Sequence, residues 1–242
     1  MDHLACRPAV AETIHLHPTA LLADRVLLPG DPGRALRLAQ TLLRDPRMFN
    51  HNRGLWGYTG DALADERPLT IQSTGMGGPS MAIVASELAE LGATTLLRVG
   101  TCGAIAPDLA LAEIVSVGEA VAADGTSRAL GAGERVAGTP ELLQRLREIV
   151  PDQPREVVAV TADLFYDTPA ETERAWATAG ASVVEMEAAA LFALGARRGL
   201  ATGCLLLVSD LLIPHRRRIE PAALPAAEER LGAIAVRALT AR

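Results

Sequence analysis

Four stretches of the chain place glycine, polar residues or charges directly after apolar, β-rich runs, where open α/β folds gather ligands. The first is Leu28-Pro-Gly-Asp-Pro-Gly-Arg34. Gly30 permits close backbone approach, and a helix starting here directs its free N–H groups and positive dipole outward beside the Arg34 guanidinium. This is an anion site in outline, although a turn carrying a solvated arginine has the same look. The second, Ser73-Thr-Gly-Met-Gly-Gly-Pro-Ser80, suits backbone approach to a sugar or phosphate. It lacks the third glycine spacing of a dinucleotide fingerprint, and no acidic residue ends the next strand. In the third, Leu97-Arg-Val-Gly-Thr-Cys-Gly103, Arg98 stands near the end of a strongly apolar run. A guanidinium there needs an anion beside it, either a structural carboxylate or a ligand. The fourth pairs Val184-Glu-Met-Glu-Ala188 with Leu207-Val-Ser-Asp210, ending two apolar runs with carboxylates. Glu185 and Glu187 also suit a helix N-terminus, and Asp210 a cap.

The elements that must position these groups are legible from periodicity. Apolar runs recur at residues 25–28, 69–74, 95–99, 114–117, 157–161, 182–184 and 204–208, several of them continuous, as strands buried on both faces are. Amphipathic, helix-length segments fall at 33–43, 79–91, 140–149, 170–179, 187–198 and 225–239. Pro79 and Gly92 punctuate the second of these. Residues 130–139 and 215–227 have the composition of surface loops. The expected fold is α/β: a three-layer single domain over residues 1–242, with a mostly parallel, mixed central sheet flanked by helices.

Composition narrows the function further. The 242 residues are 49% hydrophobic and carry a formal charge of −6, which argues against general affinity for nucleic acid. No apolar run approaches the ~18 residues of a membrane span, and Met1 to Pro8 has no secretory pattern, so a cytoplasmic protein is expected. Cys6, Cys102 and Cys204 lack the spacing of a disulfide framework or a zinc site. All 23 basic residues are arginine. Without lysine there is no Walker-type phosphate lysine and no Schiff base; anions must be held by arginine forks and backbone N–H groups.

Together the motifs GDPGR (30–34), HNRG (51–54), STGMGGPS (73–80), RVGTCGA (98–104), TADLFY (161–166), VEMEAA (184–189) and VSD (208–210) resemble, in order and spacing, the hexameric-type nucleoside phosphorylases. The resemblance implies phosphate held by Gly30, Arg34, Arg98 and Thr101, with Arg53 reaching in from a neighbouring subunit. It implies nucleoside contacts from Phe165, Met186, Glu187 and Ser209, with Glu187 on the ribose hydroxyls and Glu185 structural or sugar-adjacent. A neighbour's His15, or His17 in its place, would bind the 5′-hydroxyl.

Within the family, uridine-specific members carry a Gln-x-Arg pair soon after the Phe-Tyr. Here Phe165-Tyr166 is followed by Asp-Thr-Pro-Ala-Glu171. The purine members have the Val-Ser-Asp found at 208–210, whose aspartic acid protonates purine N7 and pairs with a helix arginine. Arg230 resembles that arginine, but the intervening loop is longer, and Arg216, Arg217 or Arg218 are candidates for its place. The resemblance thus implies phosphorolysis of purine (2′-deoxy)ribonucleosides, with Asp210 and Arg230 catalytic, inorganic phosphate as co-substrate, and no cofactor or metal. A uridine phosphorylase is the alternative, and a 5′-methylthioadenosine phosphorylase or nucleosidase a more distant one. It also implies self-association, with a dimer as functional unit assembled into a trimer of dimers.

Overall fold

The computed structural model describes residues 13–149, 153–166 and 168–240; Cys6 and the Met1–Pro8 stretch lie outside them. The first half of the chain runs β1 (Arg25–Leu28), α1 (Pro32–Leu42), β2 (Leu43–Asn50), β3 (Gly57–Ala62), β4 (Pro68–Gln72), α2 (Gly78–Glu90) and β5 (Thr95–Ala104). The middle comprises β6 (Ile114–Ala122), α3 (Gly125–Ala129), β7 (Arg135–Ala137), α4 (Pro140–Arg147) and β8 (Arg155–Thr161). It ends with α5 (Ala170–Thr178), β9 (Val183–Glu185), α6 (Ala188–Arg198), β10 (Ala201–Leu211), β11 (Arg217–Arg218) and α7 (Leu224–Thr240).

The strands form one mixed sheet in the order β11-β10-β6-β8-β9-β5-β1-β4-β3-β2, with β7 on β6. Two parallel blocks, β4-β1-β5-β10 and β6-β8-β9, meet through antiparallel pairings of β10 with β6 and of β5 with β9. Because β10 also pairs with β5, the strands β5, β10, β6, β8 and β9 close into a ring. Helices cover both faces, giving the three layers expected, but the sheet is not open. That closure matters for chemistry: β9 runs against β5, yet its C-terminal Glu185 arrives beside the C-terminal half of β5.

Alternation explains the continuous apolar runs. Val26, Leu28 and Leu96 enter one core with Met81, Val84 and Leu88 of α2 and Leu191 and Phe192 of α6. Leu27, Leu97 and Val99 enter the other with Leu38 of α1, Leu143 of α4 and Leu231 and Ile234 of α7. With only 3% aromatics the core is aliphatic, each buried Leu, Ile or Val contributing roughly 1.5–3 kcal/mol.

The hairpin of β2 and β3 has no counterpart in the sequence reading. β2 is mostly solvent-facing and contains Pro46, and its register against β3 shifts between Arg44 and Arg47 and again between Met48 and Asn50. No sustained two-residue alternation survives such breaks. The stretches read as loops are also partly ordered, holding β7 and β11. Among the described residues no helix is long and apolar enough to cross a membrane.

Candidate active site

One cavity of about 430 Å³ brings together segments from β1, β5, β9 and β10. At its first end the two glycine loops are joined: Gly75 N–H donates to Gly30 O at 3.0 Å. A Cβ at Gly30 would stand 3.0 Å from Gly75 O, so the close approach foreseen for this glycine is to a neighbouring backbone. Asp31 caps α1, its Oδ1 accepting from Arg34 N–H, with Pro32 at the helix start. Arg34 is buried, donating from Nε to Glu228 Oε1 at 2.8 Å and from Nη1 to Val99 O at 3.3 Å. Thr101 lines the same end.

Arg98 is 3% exposed and has the structural carboxylate partners that one reading of its segment required. Its Nε donates to Glu185 Oε2 at 3.0 Å and its Nη2 lies 2.5 Å from Glu187 Oε2, yet it also faces the cavity. The side chain folds back over its own strand, since a Cβ at position 100 would lie 2.6 Å from the Arg98 Cζ; Gly100 leaves the room that this guanidinium position uses. Burial works against the charge, but Glu187 and Glu185 outweigh it and hold the guanidinium firmly protonated.

The two neighbouring carboxylates have separate tasks. Glu185 accepts from Glu187 N–H at 2.8 Å, from Ala188 N–H at 2.9 Å and from the Thr161 hydroxyl at 2.5 Å, so it caps α6 and anchors Arg98. These contacts are structural, and Glu185 also lines the cavity. Glu187 accepts from Gly77 N–H and lines the cavity with Met186. Burial pushes the Glu187 carboxyl above the usual carboxylate range, with Arg98 opposing the shift and Glu185 reinforcing it.

At the far end, β10 changes register against β5 between Val208 and Asp210, a bulge that re-aims the side chains of its last residues. Asp210 is 5% exposed and, sitting on a strand, caps no helix. Its Oδ2 receives the Ser209 hydroxyl at 2.8 Å, while its Oδ1 receives Arg216 Nε at 3.0 Å and lies 3.2 Å from Arg218 Nε. Arg216 also stands over the Phe165 ring, 5.0 Å from its centroid. Phe165 is half exposed at the mouth and meets Tyr166 edge-on.

Arg230 does not serve Asp210. The pairing expected for it is made by Arg216 and Arg218, and Arg230 Nη2 donates instead to Ala112 O at 2.6 Å. The reason is helical phase: Glu228 turns inward to α1, and two residues further on the helix has rotated by about 200°. Arg217 is exposed on β11.

His15 and Arg53 are not among the residues that line this chain's cavity; their segments meet through Asn52, which precedes Arg53 and contacts His15 O. Glu87 of α2 accepts from His15 N–H, Leu16 N–H and His15 Nδ1, the last at 2.6 Å. These donors outweigh burial and hold the Glu87 carboxyl below its usual range. Asn52 Nδ2 donates to His15 O at 2.9 Å and lies 3.5 Å from His17 Nε2. The next residue, Arg53, is exposed and held at φ 56°, ψ 20°, a left-handed conformation uncommon for a residue with a side chain.

A family model described as the phosphorylase superfamily matches residues 24–240. The chain belongs to that superfamily. Among similar proteins, the "Purine nucleoside phosphorylase DeoD-type" of Geobacillus kaustophilus (strain HTA426) is 37% identical over 201 residues, covering 81% of this chain and 84% of the relative. Proteins of the same name from Clostridium novyi (strain NT) and Clostridium beijerinckii (strain ATCC 51743 / NCIMB 8052) are 36% and 35% identical, covering 79% and 82% of this chain and 84% and 86% of theirs. The superfamily membership bears out the resemblance read from the motifs.

Sequence reasoning missed Trp176 and Glu173 of α5, which also line the cavity, and Glu228 behind Arg34. The helix period marked α5 and α7, but nothing in it says which polar residue turns inward. The arginines are also balanced in charge: Arg34, Arg37 and Arg98 face Glu228, Glu185 and Glu187.

Proposed function

We propose that the protein is a purine nucleoside phosphorylase, transferring a ribosyl or 2′-deoxyribosyl group from purine to inorganic phosphate. The carrying observation is that one cavity is lined together by Arg34, Arg98 and Thr101, by Glu187, and by Asp210. The names of the relatives support the purine class. In the reaction, the bond from C1′ to purine N9 breaks with its electrons leaving on the base, and a phosphate oxygen forms the new bond to C1′. Positive charge grows on the sugar meanwhile. Phosphate held by the arginines stabilises that charge and then attacks it, so the same anion serves twice. Glu187, ionised, accepts from the 2′- and 3′-hydroxyls and fixes the ribose between attacking and leaving groups.

Asp210 gives its proton to N7 of the departing purine. With Oδ1 held by Arg216 and Arg218, the proton rides on Oδ2, whose second lone pair is left beside the one that accepts the Ser209 hydroxyl, and the guanidinium groups stabilise the carboxylate left behind. Phe165, with Arg216 on its ring, closes over the base.

Charge balance supports a shared site. A dianionic phosphate entering a cage whose arginines are already matched by carboxylates needs a further cation, and Arg53 of a neighbouring subunit supplies it. Ile14, Met76 and Trp56 are 79%, 85% and 39% exposed; Ile14 adjoins His15 in the chain, Trp56 follows Arg53 by three residues and Met76 lines the cavity, and exposed apolar side chains of this kind suit a two-fold contact. The dimer is thus the proposed working unit, assembled further into a trimer of dimers.

The decisive test is a panel of nucleosides incubated with and without phosphate. Purine base and pentose 1-phosphate should appear only with phosphate; equal base release in phosphate-free buffer would sink the reading. A second expectation follows from Glu187. Because its carboxyl titrates above the ordinary range, it loses its charge early as pH falls, and hydroxyl binding goes with it. The acid limb of kcat/KM for ribonucleosides should therefore lie above about 4.3, the value of an unperturbed glutamate. A limb at or below that value would remove Glu187 from the ribose.

A further inference from the structure

Helix α7 sends a carboxylate into the protein behind the phosphate end of the cavity. Glu228 is 2% exposed. Its Oε1 accepts from Arg34 Nε at 2.8 Å and lies 2.8 Å from Arg34 Nη2, while its Oε2 is paired with Arg37 Nη2. Arg34 Nη1 is spent in part on Val99 O at 3.3 Å. A guanidinium carries five N–H groups; these contacts take three and leave one on each Nη. One N–H on each Nη is what an end-on fork to two oxygens of a tetrahedral anion requires.

The helices are built to make this contact. Arg34 and Leu38 lie one turn apart on α1, and Glu228 and Gly232 one turn apart on α7. A Cβ at Gly232 would stand 2.4 Å from Leu38 Cδ2, so the glycine lets α7 approach closely enough for Glu228 to reach Arg34. A carboxylate beside an anion site is electrostatically counterproductive. Arg37 offsets that cost, leaving the Arg37, Glu228, Arg34 row with one net positive charge, and what Glu228 contributes is orientation.

We propose that Glu228 is a positioning residue of the phosphate site, fixing the Arg34 guanidinium so that its free Nη fork faces the phosphate. The assignment rests on reading Arg34 as a phosphate ligand. Steady-state kinetics with phosphate and nucleoside varied independently test it. Glu228→Ala should raise the phosphate KM about tenfold or more while the nucleoside KM stays within about twofold, because only the anion's fork is misplaced. Glu228→Asp retains the charge but withdraws the carboxylate by one methylene, and should move the phosphate KM in the same direction. It decides the matter if the alanine variant does not fold. Glu228→Gln restores an accepting oxygen to Arg34, so its phosphate KM should fall well below that of Glu228→Ala. A phosphate KM unchanged in folded Glu228→Ala and Glu228→Asp overturns the proposal. So does a parallel rise of both KM values with a lowered Tm, the signature of a merely structural role. Arg34→Ala separates the two levels: if it leaves the phosphate KM unmoved, the reading of Arg34 fails. If it raises that KM and the Glu228 variants do not, only the role of Glu228 falls.

Discussion

Asp210→Asn should slow phosphorolysis of ordinary purine nucleosides by about 10²-fold or more, the usual cost of losing a general acid. Asparagine preserves the shape and an oxygen for Arg216 Nε, so the loop after β10 should stay in place and the phosphate KM should move little. The loss is specific to the proton. A purine nucleoside methylated at N7 already carries the positive charge that protonation would create, and its base leaves without a proton donor. The variant should therefore retain most of its rate on that substrate. Unchanged turnover on ordinary nucleosides would reduce Asp210 to an anchor for Arg216 and Arg218. Equal losses on both substrates would assign it to binding rather than to proton transfer.

The parts of this site legible in the sequence are those whose local context is costly without a function. Arg98 inside an apolar run signals a buried cation that must be paired, and the structure pairs it with Glu185 and Glu187. Gly30 and the glycines of 75–78 follow strand ends, and the structure makes them a joined pair of backbone loops. Arg216 is different. It stands in a run of three arginines on a polar loop, a composition that fits solvent as well as a ligand, and its contact with Asp210 depends on where the chain turns after β10. Arg230 fits the family pattern in one dimension but has the wrong rotation about α7. For the fold, strands buried on both faces announce themselves, while ring closure is a long-range pairing of β5 with β10 that no local pattern encodes. The hairpin of β2 and β3 escapes for the opposite reason, since its irregular register erases the local pattern.

Arg53→Ala and Asp210→Asn should each be nearly inactive alone, yet regain activity when refolded together. Arg53 is exposed, is not among the residues lining its own chain's cavity, and is held in an uncommon left-handed conformation next to Asn52, whose side chain donates to His15 O. Such a conformation persists only where its surroundings impose it, and an outward-facing arginine so held is placed to act on another subunit. In a two-fold dimer the contacts are reciprocal. A mixed dimer then holds one site with both damages and one with neither, because the intact Asp210 of one chain meets the intact Arg53 of the other. Random pairing makes about half of the dimers mixed and so restores roughly a quarter of wild-type sites, given closed two-fold association. His15 offers an independent check in the same format, since Glu87 takes its Nδ1 and Nε2 is the other ring nitrogen with which to meet a 5′-hydroxyl. His15→Ala paired with Asp210→Asn should complement in the same proportion. If size measurements confirm mixed dimers and the mixture stays as inactive as its parents, Arg53 and His15 work within their own subunit, and the cation missing from the phosphate cage has to come from elsewhere in the same chain.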